Sequence, residues 1–379
     1  MRNVYLDHAA STPCDLRVLE AMCPYFNAKS GNSSSPHSQG RQARKATEQA
    51  REILAAFIGA FPTEIIFTNG ASEANNQAIF STARALKGSG KHIIASAIEH
   101  HSVLEPLHQL EHDGFRVTFV KPGTDGIIAV EDIRSALRPD TILVCLQHAN
   151  NQIGSIQPVN EVGLLCREKG ICFLVDATQT IGHLPVNVKD IQCDLLSLSA
   201  HKFYGPQGVG ALFIRNSIEC PSYILGGDQE RGRRAGTLNT AGIAGLAEAI
   251  KICQEELSDE TARQIVLRDK IIDSVLKEIP SAVLNGHREK RLSNNAHFSF
   301  ENINGEELVS ALDMVGVSVS MGSACTWGRM EPSHVLKAIG LSDRLALGSL
   351  RVSVGRWTSM EDIEYFLEHL KLKIDQLKS

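Results

Sequence analysis

The sequence predicts an α/β protein with a large doubly wound sheet and a second, smaller α/β unit. Apolar strand-like runs alternate with helix-patterned stretches from about residue 40 to about residue 215, an order typical of a sheet covered by helices. The length of 379 residues also exceeds what one hydrophobic core usually serves. We therefore expect a large domain over 15–260, and a small domain formed by 1–14 together with 261–379.

Two predicted strands of the first unit end in polar residues. The apolar run 171–175 is typical of a buried parallel strand, and Asp176 follows at its carboxyl end. Earlier, Phe67-Thr68-Asn69-Gly70 indicates a strand end and a glycine turn, and residues 72–86 have helical spacing. Ligands of open α/β sheets bind at the carboxyl edge, so both strand ends are candidate site positions.

The second unit contains fewer strands. Helical spacing over 241–256 and 261–277 leads into it. The elements that we predict next are a strand at 296–300, a helix at 306–314, an alternating run at 317–321, a strand around Arg351 and a final helix from about Met360.

Lys202 lies between an apolar run and an aromatic-glycine turn, in Ser199-Ala200-His201-Lys202-Phe203-Tyr204-Gly205. A lysine amine becomes a useful nucleophile when its surroundings lower its pKa, and a common use is the Schiff base with pyridoxal phosphate. That cofactor also needs a carboxylate at its pyridine nitrogen and hydrogen-bond donors at its phosphate. Asp176 is the candidate carboxylate. The helix start near Ser72 is the candidate phosphate site, because a helix N-terminus attracts anions.

Each of these signals has an ordinary alternative when it is taken alone. Asp176 could cap a helix, the glycine turn before Ser72 could be a turn only, and Lys202 could be a solvated surface charge. Likewise, His100 in Ile98-Glu99-His100-His101 leaves a metal-ligand role and a plain surface role open. Arg351 lies on the polar face of an alternating strand, where it could bind a carboxylate ligand or be an ordinary surface charge.

Composition narrows the classes of function. A net charge of −5 argues against a strongly basic nucleic-acid surface, although the local patch Arg231, Arg233 and Arg234 leaves one open. The nine cysteines contain no C-x-x-C pair, so we expect no metal site and no disulfide framework. Because the sequence shows no signal peptide and no long apolar span, we expect no membrane contact and a cytoplasmic location.

Eight sequence blocks, in order, resemble the cysteine desulfurases of the nitrogen-fixation and iron-sulfur-cluster type. The resemblance covers nearly the whole chain. The blocks are YLDHAASTP at 5–13, FTNGASEANN at 67–76, EHHSVL at 99–104, HANNQIG at 148–154, DATQTIG at 176–182, SAHKFYGPQGVGAL at 199–212, ERGRRAGTLN at 230–239 and GSACTWGRMEPSHVL at 322–336.

The resemblance implies a fold-type I transferase, dependent on pyridoxal phosphate, with the cofactor in the large domain. Lys202 would form the Schiff base, Asp176 would pair with the pyridine nitrogen, and His100 would lie over the ring face as a catalytic residue. The other positions that the resemblance assigns are Asn151 and Gln179 near the ring oxygen, Ala71, Ser72, Ser199 and His201 at the phosphate, and Arg351 with Asn151 at the substrate.

Thr237 would reach the phosphate of a second subunit's cofactor, which implies a homodimer. Cys325, in a glycine-flanked loop of the small domain, would be the catalytic thiol, because small neighbours leave a thiol accessible. For the other eight cysteines, buried structural thiols are expected.

The reaction that the resemblance implies converts L-cysteine to L-alanine and leaves a persulfide on Cys325, which passes it to a sulfur-acceptor protein. The chain ends directly after its last helix, so we expect an acceptor other than an iron-sulfur scaffold. A selenocysteine lyase, or a sulfur donor for tRNA or DNA modification, stays open. Two residues depart from the family pattern: Gln152 affects the expected loop geometry, and the bulky Trp327 in the cysteine loop is expected to mark a particular acceptor.

Overall fold

The computed structural model describes residues 2–322 and 331–378. Its strands are β1 Val4–Tyr5, β2 Ile65–Thr68, β3 His92–Ser96, β4 Arg116–Val120, β5 Thr141–Gln147, β6 Cys172–Asp176, β7 Leu195–Ser199, β8 Gly210–Ile214, β9 Ala282–Leu284, β10 Asn295–Phe300, β11 Val317–Ser318 and β12 Ser349–Ser353. Its α-helices are α1 Leu16–Met22, α2 Ser38–Ile58, α3 Ala71–Leu86, α4 His101–His112, α5 Val130–Ala136, α6 Val159–Lys169, α7 Val188–Ile191, α8 Thr240–Glu278, α9 Gly305–Asp313, α10 His334–Ala338, α11 Asp343–Leu347 and α12 Met360–Lys378.

Seven of these strands form one sheet in the order β2-β8-β7-β6-β5-β3-β4. The pairs from β7 to β4 are all parallel, whereas β8 is antiparallel to both of its neighbours. The central strands are buried along their whole length, because helices cover both faces. The predicted doubly wound sheet is confirmed.

Alternate residues of one strand serve two different cores. In β6, Phe173 and Val175 pack with apolar residues of α2, α6 and the first half of α8, whereas Leu174 packs with those of α3 and α4. This period of two is the reason that a fully apolar run can be buried on both sides. The run therefore ends, at Asp176, where the helices no longer cover the sheet.

The second unit has its own core. Strands β12, β10 and β9 form an antiparallel sheet, and β1 pairs in parallel with β11. Apolar residues of α9, α12 and the second half of α8 pack on them. The predicted strand at 296–300 corresponds to β10, the predicted helix at 306–314 to α9, and the final helix to α12.

Helix α8 differs from the sequence prediction of two helical segments. It is continuous over 39 residues, and its apolar residues change from the first core to the second along its length. The residues that separate the two predicted segments, 257–260, are half-buried or exposed. They carry no apolar stripe because this part of the helix lies against neither core.

A buried ion pair joins the large sheet to the loop before α8. The guanidinium of Arg51 contacts both oxygens of Glu230 at 2.8 and 2.7 Å, and the backbone N–H of Phe67 donates to the same carboxylate at 2.7 Å. The two charged side chains are 3% and 1% exposed. The carboxylate thus fixes the loop against α2 and β2.

We predict that Glu230→Gln lowers the free energy of unfolding by about 3 kcal/mol, because it leaves the buried Arg51 charge with only the half-exposed carboxylate of Glu48 as a counter-charge. Chemical denaturation of the two proteins measures the loss. The control is Asp273→Asn, whose exposed partnership with Arg288 should contribute less than about 1 kcal/mol. Equal losses in the two variants would contradict the prediction.

Candidate active site

A cavity of about 750 Å³ opens at the carboxyl edge of the large sheet. It brings together most of the predicted site residues on strand ends, helix starts and the N-terminal segment. The residues that line it are Ala10, Ser11, Asn69, Gly70, Ala71, Ser72, Glu73, His100, Ser102, Gln147, Ala149, Asn151, Asp176, Thr178, Gln179, Ser199, His201, Lys202, Gln207 and Gly208.

Lys202 ends a single 3-10 turn that follows β7. Its Nζ donates hydrogen bonds to the carbonyl oxygens of Ala9 at 2.8 Å and Ala10 at 2.7 Å. Burial first, and then the charge of Arg351, lower the pKa of the amine, whereas Asp7 and Asp176 raise it, and the resulting pKa is about 8. The amine is therefore ready to lose its proton close to neutral pH.

Asp176 is the last residue of β6, as predicted. Its Oδ2 accepts from Nδ2 of Asn75 at 2.8 Å, and its Oδ1 accepts from the backbone N–H of Thr178 at 2.9 Å. These two donors orient the carboxylate toward the cavity. Asn75 is completely buried on α3, and the sequence analysis missed it.

His100 caps the N-terminus of α4 and lines the cavity. Its Nδ1 accepts from the backbone N–H of Ser102 at 3.1 Å, so a neutral ring carries its proton on Nε2. Burial lowers the pKa of His100, which favours this neutral form. The Oγ of Ser102 lies 2.9 Å from Nδ1 and also accepts from Asn75, so one chain of contacts joins His100 to Asp176.

The start of α3 forms the anion-binding end of the cavity. Gly70 has φ +145°, a conformation that side chains rarely adopt, and it turns the chain from β2 into the helix. A Cβ at this position would lie 3.4 Å from the Oγ of Ser199. Free N–H groups of the first helical turn, at Ala71 and Ser72, therefore face the cavity together with hydroxyl groups.

Three further predicted residues lie on the cavity wall. Nε2 of Gln179 donates to the carbonyl of Ala9 at 3.1 Å, and Nδ1 of His201 lies 3.2 Å from the Oγ of Ser11. Burial, together with the charge of Lys202, lowers the pKa of His201 to about 4. Asn151 lies in the loop after β5 and also lines the cavity.

Arg351 lies on β12, on the face opposite Leu350 and Val352, as the alternation predicts. Its guanidinium contacts the carboxylate of Asp7 at 2.7 Å and the carbonyl oxygen of Asn151 at 2.9 Å. The side chain is 5% exposed, and Arg351 is absent from the described lining of the cavity. The structure thus places this cation directly behind a lining residue.

One predicted site residue, Thr237, lies apart from this group. Thr237 is exposed on the loop before α8 and is not among the described residues that line the cavity of its own chain. Cys325 and Trp327 lie outside the described residues.

Gln152, which departs from the family pattern, is buried, and its Oε1 accepts a hydrogen bond from the Oγ of Ser333 at 2.5 Å. Ser333 is the N-cap residue of α10, so Gln152 fixes the start of that helix.

Glu99 is a second buried group that the sequence analysis missed. Its side chain accepts from the backbone N–H of Gln147 at 2.9 Å, and burial raises its pKa to about 8. At neutral pH the folded protein therefore holds this carboxyl mainly in its protonated form. A neutral Glu99 adds no negative charge beside Asp176.

Comparison with known proteins places the chain in a family. Residues 4–366 match the family described as Aminotransferase class-V, and the chain belongs to that family. It is 49% identical over 378 residues to the cysteine desulfurase IscS of Dictyoglomus turgidum, an alignment that covers 100% of this chain and 96% of the relative.

Two solved structures are also similar. A NifS-like protein superposes with a TM-score of 0.93 at 36% identity, covering 99% of this chain and 100% of the other. SspA in complex with cysteine superposes with a TM-score of 0.83 at 37% identity, covering 94% of this chain and 100% of the other. The family and these neighbours confirm the predicted fold-type I architecture. Among the described helices, none is long and apolar enough to cross a membrane.

We predict that Lys202 titrates with a midpoint near pH 8 and that its charged neighbours set this value in opposite directions. Arg351→Met should raise the midpoint, because it removes a repelling cation, and Asp176→Asn should lower it, because it removes an attracting anion. Acylation of the unloaded protein over a pH series, followed by mass spectrometry of the Lys202 peptide, measures the midpoint.

The control for this titration is Arg288→Met, which removes an exposed cation paired with Asp273 and should leave the Lys202 midpoint unchanged. Shifts of the same sign in Arg351→Met and Asp176→Asn would contradict the electrostatic account.

Proposed function

We propose that this protein is a pyridoxal phosphate-dependent cysteine desulfurase that converts L-cysteine to L-alanine and passes the sulfur to an acceptor protein through a persulfide on Cys325. The observation that carries the proposal is the shared cavity of Lys202, Asp176 and the start of α3, in a chain with full-length similarity to cysteine desulfurases. A lysine amine, a carboxylate and an anion site are the three groups that this cofactor requires.

The residues present fit the cofactor. Lys202 would hold its aldehyde carbon, Asp176 its pyridine nitrogen, and the N–H groups at Ala71 and Ser72 its phosphate, with Ser199 and His201 beside them. Asn151 and Gln179 would contact the ring oxygen, and His100 would cover the ring face. When bound, pyridoxal phosphate supplies an aldehyde that combines with amines and a ring that withdraws electrons from the carbon attached to that amine.

The chain's own groups move protons and hold the substrate. Lys202, with a pKa near 8, can release a proton to solvent and take one back during turnover. Nε2–H of the neutral His100 ring gives a second proton donor on the cavity wall. Arg351 would bind the α-carboxylate of L-cysteine through the guanidinium, assisted by Asn151.

In the sulfur step, the Cys325 thiolate attacks the thiol sulfur of the substrate. An S–S bond forms on Cys325 as the carbon–sulfur bond of the substrate breaks, and the electron pair of that bond stays with the carbon. A proton, supplied by Lys202 or His100, then completes L-alanine. The persulfide that remains carries the sulfur to the acceptor.

We predict that Cys325→Ala retains the visible absorbance of bound pyridoxal phosphate and loses alanine and sulfide release by about 10³-fold or more. Purified wild type and variant are assayed on L-cysteine with a reducing agent. Cys14→Ala, which removes an exposed thiol elsewhere in the chain, is the matched control and should keep full release. An absent cofactor absorbance in wild type, or normal release by Cys325→Ala, would contradict the proposal.

We also propose a homodimer in which Thr237 reaches the cofactor phosphate of the partner subunit. The exposed position of Thr237, away from the cavity of its own chain, supports this assignment. A hybrid dimer pairs a Lys202→Ala subunit with a Thr237→Val subunit.

If Thr237 acts across the interface, one of the two sites of the hybrid has both Lys202 and Thr237. We then predict that the hybrid binds cofactor with wild-type affinity at that one site, and that its release of alanine and sulfide is about half that of wild type. If Thr237 acts within its own chain, the hybrid has no such site, and full-affinity binding should be lost. The Thr237→Val homodimer provides the reference affinity.

A further inference from the structure

Both cations of the candidate site are held by the same short segment at the N-terminus. Lys202 donates to the carbonyls of Ala9 and Ala10, and Arg351 pairs with the carboxylate of Asp7. The first contact uses backbone oxygens, whereas the second uses a full negative charge. Asp7 therefore offers Arg351 the same functional group that an amino-acid substrate would offer.

The backbone holds Asp7 in place from two sides. Asp7 forms a parallel bridge with Ser353 at the end of β12, and the hydroxyl of Tyr5 donates to its carbonyl oxygen at 3.2 Å. The Oγ of Ser320 also donates to Oδ1 of Asp7, at 3.0 Å, the same oxygen that accepts from Arg351. The carboxylate is thus positioned against the guanidinium and is not a mobile surface group.

The guanidinium is not fully satisfied by these contacts. Its two terminal nitrogens donate to Asn151 and Asp7, but its Nε is buried and has no hydrogen-bond partner among the described residues. A planar guanidinium can bind a second carboxylate through its remaining donors. Any carboxylate that binds there meets the negative charge of Asp7 across the same group.

We propose that Asp7 competes with the substrate carboxylate for Arg351 and so sets the affinity and the carboxylate selectivity of the site. This inference rests on the proposed function, in which Arg351 binds the α-carboxylate. In the free protein Asp7 neutralises the buried cation. An incoming carboxylate must share or replace that contact, which weakens its binding while keeping Arg351 oriented.

The test is the dissociation constant of cofactor-loaded protein, measured by calorimetry, for L-alanine and for L-alaninamide, which lacks the carboxylate. Asp7→Asn keeps the shape and the acceptor oxygen but removes the charge. We expect it to bind L-alanine about tenfold more tightly than wild type does, with L-alaninamide changed by less than about twofold.

Comparing L-alanine with L-alaninamide separates the effect of Asp7 on carboxylate binding from its effect on amine binding. Asp7 also raises the pKa of Lys202, but both ligands present an amine to that residue, so this effect is common to them. The other charged groups at the site, Asp176, Glu73 and Arg351, are unchanged in Asp7→Asn. A difference between the two ligands therefore reports the carboxylate contact alone.

Ser320→Ala is the matched variant, because it removes a hydrogen bond to Asp7 and leaves the charge. We expect its affinity for L-alanine to stay within about twofold of wild type. The inference is overturned if Asp7→Asn binds L-alanine no more tightly than wild type, if L-alaninamide gains equally, or if Ser320→Ala reproduces the gain.

Failure of the proposed function has a different signature. If wild type takes up no cofactor, or if Arg351→Met binds L-alanine as tightly as wild type, then the assignment of the site falls and this inference falls with it. If wild type binds the cofactor and Arg351→Met weakens the binding of L-alanine by at least about tenfold, the result for Asp7→Asn alone decides the inference.

Discussion

The parallel pairing of β6 with β7 is the constraint on which the site depends. Asp176 pairs with Ser197 in register, so the two strands end at one edge, with Asp176 on the first and the turn that carries Lys202 after the second. Because both faces of β6 and β7 are buried, the charged side chains lie at or beyond the ends of these strands. The start of α3 reaches the same edge because β2 runs in the direction of β7, on the far side of the antiparallel β8. Sheet topology thus determines which chemical groups meet.

The site is shared between the two cores of the protein. The large sheet supplies the lysine, the carboxylate and the helix start, whereas the N-terminal segment and β12 supply the contacts that hold the cations. Contacts such as Thr12 N–H to the carbonyl of His201 join the two parts close to the amine of Lys202. Charge balance at the amine therefore depends on residues from both cores, which explains why the pKa of Lys202 responds to Arg351 as well as to burial.

Much of this arrangement could be predicted from local patterns. The ends of β2 and β6, the start of α3 and the face of Arg351 follow from apolar runs and alternation, which are short-range properties. Asn75, Ser102 and Glu99 could not be predicted, because their roles arise from contacts between distant strands and helices. Asn75 did carry one signal, since it stands among alanines on the buried face of a predicted helix. The continuity of α8 was missed because its middle touches neither core.

The pairing of the N-terminal segment has a consequence for how the chain is made. Asp7 and Arg351 are 344 residues apart, so Asp7 is synthesised long before its partner exists. At about 5–20 residues per second, that wait is on the order of tens of seconds. During synthesis the large sheet can form first, with its lysine exposed at an open edge. Closure of that edge by the Asp7–Arg351 contact must await the synthesis of β12, and a chain that ends before Arg351 cannot form the contact.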